Sequence, residues 1–316
     1  MEISPKNILF ELINHENIVE LKKFLKDVKY DETSKSLIDF GGLSFECLDE
    51  YYDTPLHYAT RRNKIEVIKF LVKSFKKMTE ATNEDNLTPA GLALTIRNLD
   101  SFKLLCNLNV VNMKNQHGKN LLHLAVEYEA IEFIKYLLEK VDEKMNIHLK
   151  TYDLNSPLHL AAMTGNVEVL KLILSHKPDL NAKNKYGDTA LHAAIRNDKT
   201  QSSKLLIKYS RNINELNENL DSPLHLATAK KNLEIVRKLV KNGAKKHIKN
   251  LENQNPLEIA MRFSETADNE ANCQLIIEAL VDNRFAGLLN NLKNKFTGKH
   301  KKEDQFQKSR RFKTHL

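Results

Sequence analysis

The chain has 316 residues, 41% of them hydrophobic and 28% charged, a globular composition with enough apolar material for a continuous core and against disorder throughout. Three widely separated cysteines, Cys47, Cys106 and Cys273, form no CxxC and are odd in number, so a reducing compartment is expected, without a disulfide framework or a cysteine zinc site. Net charge is +8, but residues 281–316 hold ten Lys and Arg against three acids, which places +7 there and leaves +1 for the first 280 residues.

At the N-terminus, MEISPKNILFELINHENIVELKK carries acids in its first half and no uninterrupted apolar stretch, unlike a signal peptide. No segment reaches the roughly 18 apolar residues that a membrane span needs. A cytoplasmic protein is expected, with the nucleus as a further address.

From residue 54 onward one pattern recurs. Thr54-Pro55-Leu56-His57, Thr88-Pro89-Ala90-Gly91, Asn120-Leu121-Leu122-His123, Ser156-Pro157-Leu158-His159, Thr189-Ala190-Leu191-His192, Ser222-Pro223-Leu224-His225 and Asn255-Pro256-Leu257-Glu258 follow at spacings of 34, 32, 36, 33, 33 and 33. Ser, Thr or Asn caps a helix N-terminus, and Pro next to it has φ preset for the first turn and lacks an N–H that would find no partner there. Two residues after the His slot stands Ala in all seven segments (Ala59, Ala93, Ala125, Ala161, Ala194, Ala227, Ala260), small enough for neighbouring helices to approach closely. Each segment leads into a second apolar pattern with i, i+3, i+4 spacing, such as Ile65–Leu71, Ile131–Leu137, Val167–Ile173 and Leu233–Leu239, which predicts an amphipathic second helix. Polar stretches rich in Asn, Asp and Gly, such as Asp179–Asp188, separate the units and suit tight hairpins.

The motif T-P-L-H-x-A at a period near 33 residues resembles the ankyrin repeat. The resemblance implies an all-α fold, an ankyrin-repeat α-solenoid of helix–turn–helix repeats with β-turn fingers. Residues 46–280 would form seven repeats and residues 1–45 a degenerate capping repeat centred on Ile8–Leu25. Residues 281–297 would form an amphipathic helix, with Phe285, Leu288, Leu289, Leu292 and Phe296 on one face, and residues 298–316 a basic disordered tail. Fingertips are expected near 51–53, 84–86, 116–119, 152–154, 185–187, 218–220 and 252–254. In the family a Gly with positive φ joins the two helices. Here only Gly165 keeps that slot, and Asn63, Arg97, Glu129, Asp198 and Lys231 fill it elsewhere, so modest stability is expected. Three extra residues around Val141–His148 and a delay over Phe263–Asn272 mark irregular units.

Chemistry of its own is not expected. The five periodic histidines share one slot and so one structural role, and no GxSxG, P-loop, GxGxxG or HExxH occurs. No cofactor or metal is implied. The leading reading is a non-enzymatic scaffold or adaptor that grips a folded protein partner with its concave face and fingertips. Candidate contacts are Tyr51, Tyr52, Arg61, Arg62, Tyr128, Tyr152, Met163, Tyr186, Arg196 and Lys230, because Tyr offers large area with few rotamers and these positions vary over a constant frame. In the tail, Lys299, Lys301, Lys302, Lys308, Arg310, Arg311 and Lys313 are the candidates for nucleic acid or anionic lipid, or for directing the chain to the nucleus. The alternative is an effector of an intracellular microbe that binds a protein inside the host cell, in keeping with a Lys/Asn-rich composition.

Overall fold

The computed structural model describes residues 5–26, 28–31, 36–38, 44–46, 48–49, 51–107, 109–140, 146–210, 212–264 and 270–281. Cys47, the expected helix over 281–297 beyond Val281, and the tail over 298–316 lie outside the described residues. The chain divides into two compact units, Met1–Lys185 and Tyr186–Leu316.

The first unit opens with a helix pair, α1 (Pro5–Asn14) and α2 (Ile18–Phe24). Leu9, Ile13 and Leu21 are fully buried, and the linking residue Glu16 has φ 53°, so the segment is built as a repeat would be. A small antiparallel sheet follows, β1 (Lys29–Asp31), β2 (Ser36–Ile38) and β3 (Ser44–Glu46), with Tyr30 opposite Leu37 and Leu37 opposite Phe45. The repeat pattern begins only at residue 54 and gives no warning of it. The remaining helices are α3 (Pro55–Arg61), α4 (Ile65–Ser74), a 3-10 helix (Lys76–Glu80), α5 (Pro89–Thr95), α6 (Leu99–Leu105), α7 (Leu121–Glu127), α8 (Ile131–Lys140), α9 (Pro157–Thr164) and α10 (Val167–Ser175). The second unit holds α11 (Ala190–Arg196), α12 (Thr200–Tyr209), α13 (Pro223–Ala229), α14 (Leu233–Lys241), α15 (Pro256–Ser264) and α16 (Glu270–Leu280).

Within each unit, inner helices pack on inner helices and outer on outer: α3, α5, α7 and α9 in sequence, α4 on α6, α8 on α10, then α11, α13, α15 and α12, α14, α16. The recurrent Ala makes this possible. Ala59, Ala93, Ala125, Ala161, Ala194, Ala227 and Ala260 are all buried, and the Leu of the motif lies beside them at Leu56, Leu122, Leu158, Leu191 and Leu224. Each such Leu contributes about 1.5–3 kcal/mol on burial. Phe102 is the largest fully buried side chain and meets Phe133 edge to face at 4.9 Å, joining α6 to α8. Helix α8 has ten residues, as α12 has, so the helix itself does not absorb the three extra residues of its repeat, and 141–145 lie outside the described residues.

The helix links take the expected left-handed conformation. Asn63, Arg97, Glu129, Asp198 and Lys231 have φ of 55°, 61°, 51°, 56° and 53°, as Gly165 does at 89°. Each non-Gly link closes the helix with a six-to-one bond, Lys64 N–H to Ala59 O and Asn98 N–H to Ala93 O among them. Four of these strained residues also bond the next repeat with their side chains. Asn63 Oδ1 accepts from Asn98 Nδ2, Glu129 Oε2 accepts from Asn166 Nδ2, Asp198 Oδ2 accepts from Lys230 Nζ, and the Arg97 guanidinium donates to Tyr128 O.

Candidate protein-binding surface

The fingers are built from one side chain each. Asp49, Asn83, Asn115, Asn217 and Asn250 sit at the finger base and accept backbone N–H bonds across the turn. Asn115 Oδ1 takes those of His117 and Lys119 at 3.0 Å, and Asn217 Oδ1 those of Asn219 and Asp221 at 3.0 and 2.9 Å. The base residue also donates to the finger before it: Asn83 Nδ2 to Asp53 Oδ1, Asn184 Nδ2 to Asn155 Oδ1, Asn217 Nδ2 to Asp188 Oδ1 and Asn250 Nδ2 to Asp221 Oδ1, at 2.8 to 3.0 Å. At two joints the acceptor position holds Leu87 or Lys119, which offers no carboxylate or amide oxygen. Fingers also bond tip to tip, Tyr152 N–H to His117 O and, in the second unit, Glu218 N–H to Tyr186 O. Gly118 and Gly187 permit this: both have positive φ, and a Cβ on either would stand 2.6 Å from the next finger's backbone nitrogen.

The inner helices are fixed to the fingers by the motif histidines, all buried. The Thr54 N–H and hydroxyl reach His57 Nδ1 at 3.3 and 2.8 Å, and His57 Nε2 lies 2.9 Å from Leu87 O. Nδ1 therefore accepts and Nε2–H donates, an assignment set by the partners. His192 and His225 repeat this with Thr189 and Ser222 behind and Asp221 O and Gln254 O ahead, both at 3.1 Å. Burial pushes the His123 pKa down to about 4 and lowers that of His225, so both rings stay neutral at ordinary pH. Rings occupied on both nitrogens hold the stack together, and among the described residues no three His, Cys, Asp or Glu gather as metal ligands do. Burial raises the Cys106 thiol to about 12, far from nucleophilic, and Cys273 is buried in α16.

In the first unit this frame presents Tyr51, Tyr52 and Tyr152 at fingertips and Tyr128 at the end of α7, all exposed, with Met163 half-buried on α9. Arg61 stacks over Tyr51 at 5.4 Å, yet its guanidinium is held by the fully buried Asp53 at 2.7 Å. Arg62 lies over Tyr58, whose ring packs edge-on against Phe10. In the second unit Tyr186 is exposed at a fingertip, Arg196 is bonded to Asp188, and Lys230 pairs with Asp198. The bond to Asp188 raises the Arg196 pKa above its ordinary value. The two arginines therefore have structural partners as well as exposure. In the first unit the same eight-residue spacing carries Lys119 with Glu127 at 2.7 Å, the charges exchanged.

The structure adds apolar tips that a search for tyrosine passes over. Leu154, Leu220 and Leu251 are exposed at fingertips, Leu251 by 66%, and Ile96 is exposed beside Arg97. Tyr52, Leu154 and Leu220 also sit at φ 54°, 58° and 56°, a conformation that costs a bulky residue on the order of 1 kcal/mol or more.

A family model described as ankyrin repeats, in three copies, matches residues 74–151, 97–184 and 158–250, and a single ankyrin-repeat model matches residues 51–82. The chain is 30% identical over 140 residues to the B-cell lymphoma 3 protein homolog of Mus musculus, covering 43% of this chain and 31% of that protein. It is 26% identical over 162 residues to Rabankyrin-5 of Homo sapiens, covering 51% of this chain and 14% of that protein. The chain thus spans less than a third of either relative's length. The crystal structure of the ankyrin repeat domain of Bcl-3 superposes with a TM-score of 0.63 at 26% identity, over 73% of this chain and 99% of that domain.

Proposed function

The chain belongs to the ankyrin-repeat family, a protein–protein interaction scaffold, and from that premise we propose that it is an adaptor that holds a folded protein partner against its fingertips and inner-helix ends. The observation that carries this reading is the set of large apolar residues at finger positions with positive φ. Tyr52 and Leu154 occupy in the first unit the slot that Asn86 and Gly118 fill at neighbouring fingers. A finger could be built there with Asn or Gly at lower cost, so exposing Tyr and Leu instead suits a surface that is covered by something else. Tyr51, Tyr128, Tyr152 and Ile96 extend the surface, and Arg62 and Arg97 give it positive charge. The supporting frame of Asp53, Asn83 and His57 keeps the tips in register, which lowers the ordering cost of binding.

The test is affinity capture from cell lysate with the full chain and with a variant carrying Tyr51→Ser, Tyr128→Ala, Tyr152→Ser and Leu154→Gly, read by mass spectrometry. Proteins retained by the native surface are expected to be lost from the variant while its helical circular-dichroism signal is unchanged. Equal retention of the same proteins would sink the surface assignment.

A further inference from the structure

Between the outer helices α4 and α6, beside the 3-10 helix, lies a cleft of about 610 Å³. It belongs to the outer helices of the first unit, not to the fingers or inner-helix ends. Its lining carries four lysines, Lys69, Lys73, Lys76 and Lys77, with Glu80 as the one acid and Val72 and Leu104 as the apolar part. The 280 residues that precede the tail carry only +1 in total, so +3 in one cleft is a local concentration and not a reflection of composition.

That concentration is unfavourable unless something answers it. Lys69 and Lys73 stand i, i+4 on α4, where like charges repel. Lys69 has Glu66 at 2.7 Å, and Lys77 has Glu80 at 3.8 Å, but Glu80 also accepts from Asn109 Nδ2 at 2.8 Å. Among the described residues, Lys73 and Lys76 have no carboxylate within salt-bridge distance. The backbone that carries Lys76 is held in place. The Thr79 hydroxyl donates to Lys76 O at 2.7 Å and accepts from Asn107 Nδ2 at 2.9 Å, tying the 3-10 helix to the loop after α6.

The chemistry of the lining selects the ligand. Lysine ammoniums are compact point charges with three donors each, suited to several phosphates at differing angles, whereas a planar carboxylate is better gripped by arginine, which the lining lacks. Clefts of about 300–1,000 Å³ take ligands of small-molecule size, and Val72 and Leu104 can meet the carbon frame that bears the phosphates. We propose that this cleft binds a small molecule or head group bearing clustered phosphates.

Isothermal titration of the full chain with inositol hexakisphosphate reads the soluble source. Sedimentation with phosphatidylcholine vesicles, with and without a phosphoinositide bisphosphate, reads the membrane source. One-to-one binding is expected, weakening steeply between about 50 and about 300 mM salt. Charge reversal by Lys73→Glu with Lys76→Glu, or charge removal by Lys73→Ala with Lys76→Ala should the first pair impair folding, is expected to weaken binding about tenfold or more. A charge-matched control, Lys171→Glu with Lys208→Glu on the exposed faces of α10 and α12, should leave it nearly unchanged. Binding to vesicles alone with the same dependence on Lys73 and Lys76 identifies a head group as the source. The proposal is overturned if neither probe binds, or if the control weakens binding as much as the cleft variants do.

Discussion

Arg97, held at φ 61°, donates from its guanidinium to the carbonyl oxygen of Tyr128 in the next repeat. The residue is poor for the left-handed conformation and useful for its reach. A glycine in its place would relieve a cost of about 1–2 kcal/mol, less about 0.5–1 kcal/mol for its greater freedom in the unfolded chain. It would also lose a charge-assisted bond. Lys177, at φ 50°, is the contrasting case: its side chain is exposed and makes no hydrogen bond or ion pair among the described residues, and the matching position two repeats later is Gly243 at φ 87°. Lys177→Gly should stabilise the chain by about 0.5–1 kcal/mol and raise the melting temperature by a few degrees, whereas Arg97→Gly should not. Equal gains for both, measured by thermal unfolding, would show that the bond from Arg97 contributes nothing.

The capping pair of the third repeat differs from its relatives. At residues 54, 156, 189 and 222 a hydroxyl faces the histidine Nδ1 and can donate to it, but at residue 120 the group 2.5 Å from His123 Nδ1 is Asn120 Oδ1, an acceptor that also takes the His123 N–H at 3.1 Å. Nδ1 keeps the Asn120 N–H at 3.3 Å, and turning the amide over would give it a second donor but strand His123 N–H. The His123 bond to Asn155 O, at 3.2 Å, is longer than those of His57, His192 and His225. Since Asn and Ser are equal as caps, Asn120→Ser should stabilise by about 1 kcal/mol through the added hydroxyl bond. A lower denaturant midpoint for the variant would refute the account.

Acid should weaken the stack through the same ring. His123 titrates near pH 4 in the folded chain against 6.5 ordinarily, because burial disfavours its charged form, with Lys114 and Lys119 adding to the effect. Between those values the unfolded chain binds more protons. Stability is therefore intact above about pH 6.5, falls as pH drops toward 4 and levels off below, by on the order of 3 kcal/mol for this ring. His225 shifts in the same direction. Urea midpoints at about pH 7.5 and about pH 4.5 should differ less for His123→Gln than for the native chain. An unchanged difference would assign the acid sensitivity elsewhere.

The repeat was legible because its signals are local. Capping residue, proline, alanine and the left-handed link each act within one unit, so the helix pairs could be read from spacing and capping residues, and the resemblance to the ankyrin repeat implied the positive φ at Arg97 or Lys231 and the bonding role of the histidines. What joins one unit to the next was harder to see. Arg61 reads as a surface arginine until Asp53 is found buried beneath it, and Arg196 until Asp188 is. The apolar tips Leu154 and Leu220 look like turn residues of no account, because a Leu in a turn has no periodic partner to mark it. The cleft lysines are spread over two elements, and only the packing of α4 against α6 and the 3-10 helix brings them to one lining with Asn107 and Asn109.

The finger ladder yields the cleanest comparison. Asn115 and Asn217 hold their own fingers identically, each accepting two backbone N–H groups at 2.9 to 3.0 Å. They differ in the amide nitrogen. Asn217 Nδ2 donates to the buried Asp188 at 2.8 Å, while Asn115 faces a joint whose acceptor position is Leu87. Asn→Ala at either position removes the turn bonds, but at Asn217 it also removes the amide donor from Asp188 Oδ1, which keeps the longer bond from the Arg196 guanidinium at 3.1 Å. A bond to a charged group contributes about 1.5–3 kcal/mol, so Asn217→Ala should cost that much more than Asn115→Ala. The two variants should also part when Asp188→Asn is added. The double variant with Asn217→Ala should show coupling of at least about 0.5 kcal/mol in a double-mutant cycle, and the pair with Asn115→Ala none. Equal costs for the two single variants would mean that the rung between fingers, conspicuous in the geometry, adds no stability, and that backbone bonds and histidines alone hold the fingers in line.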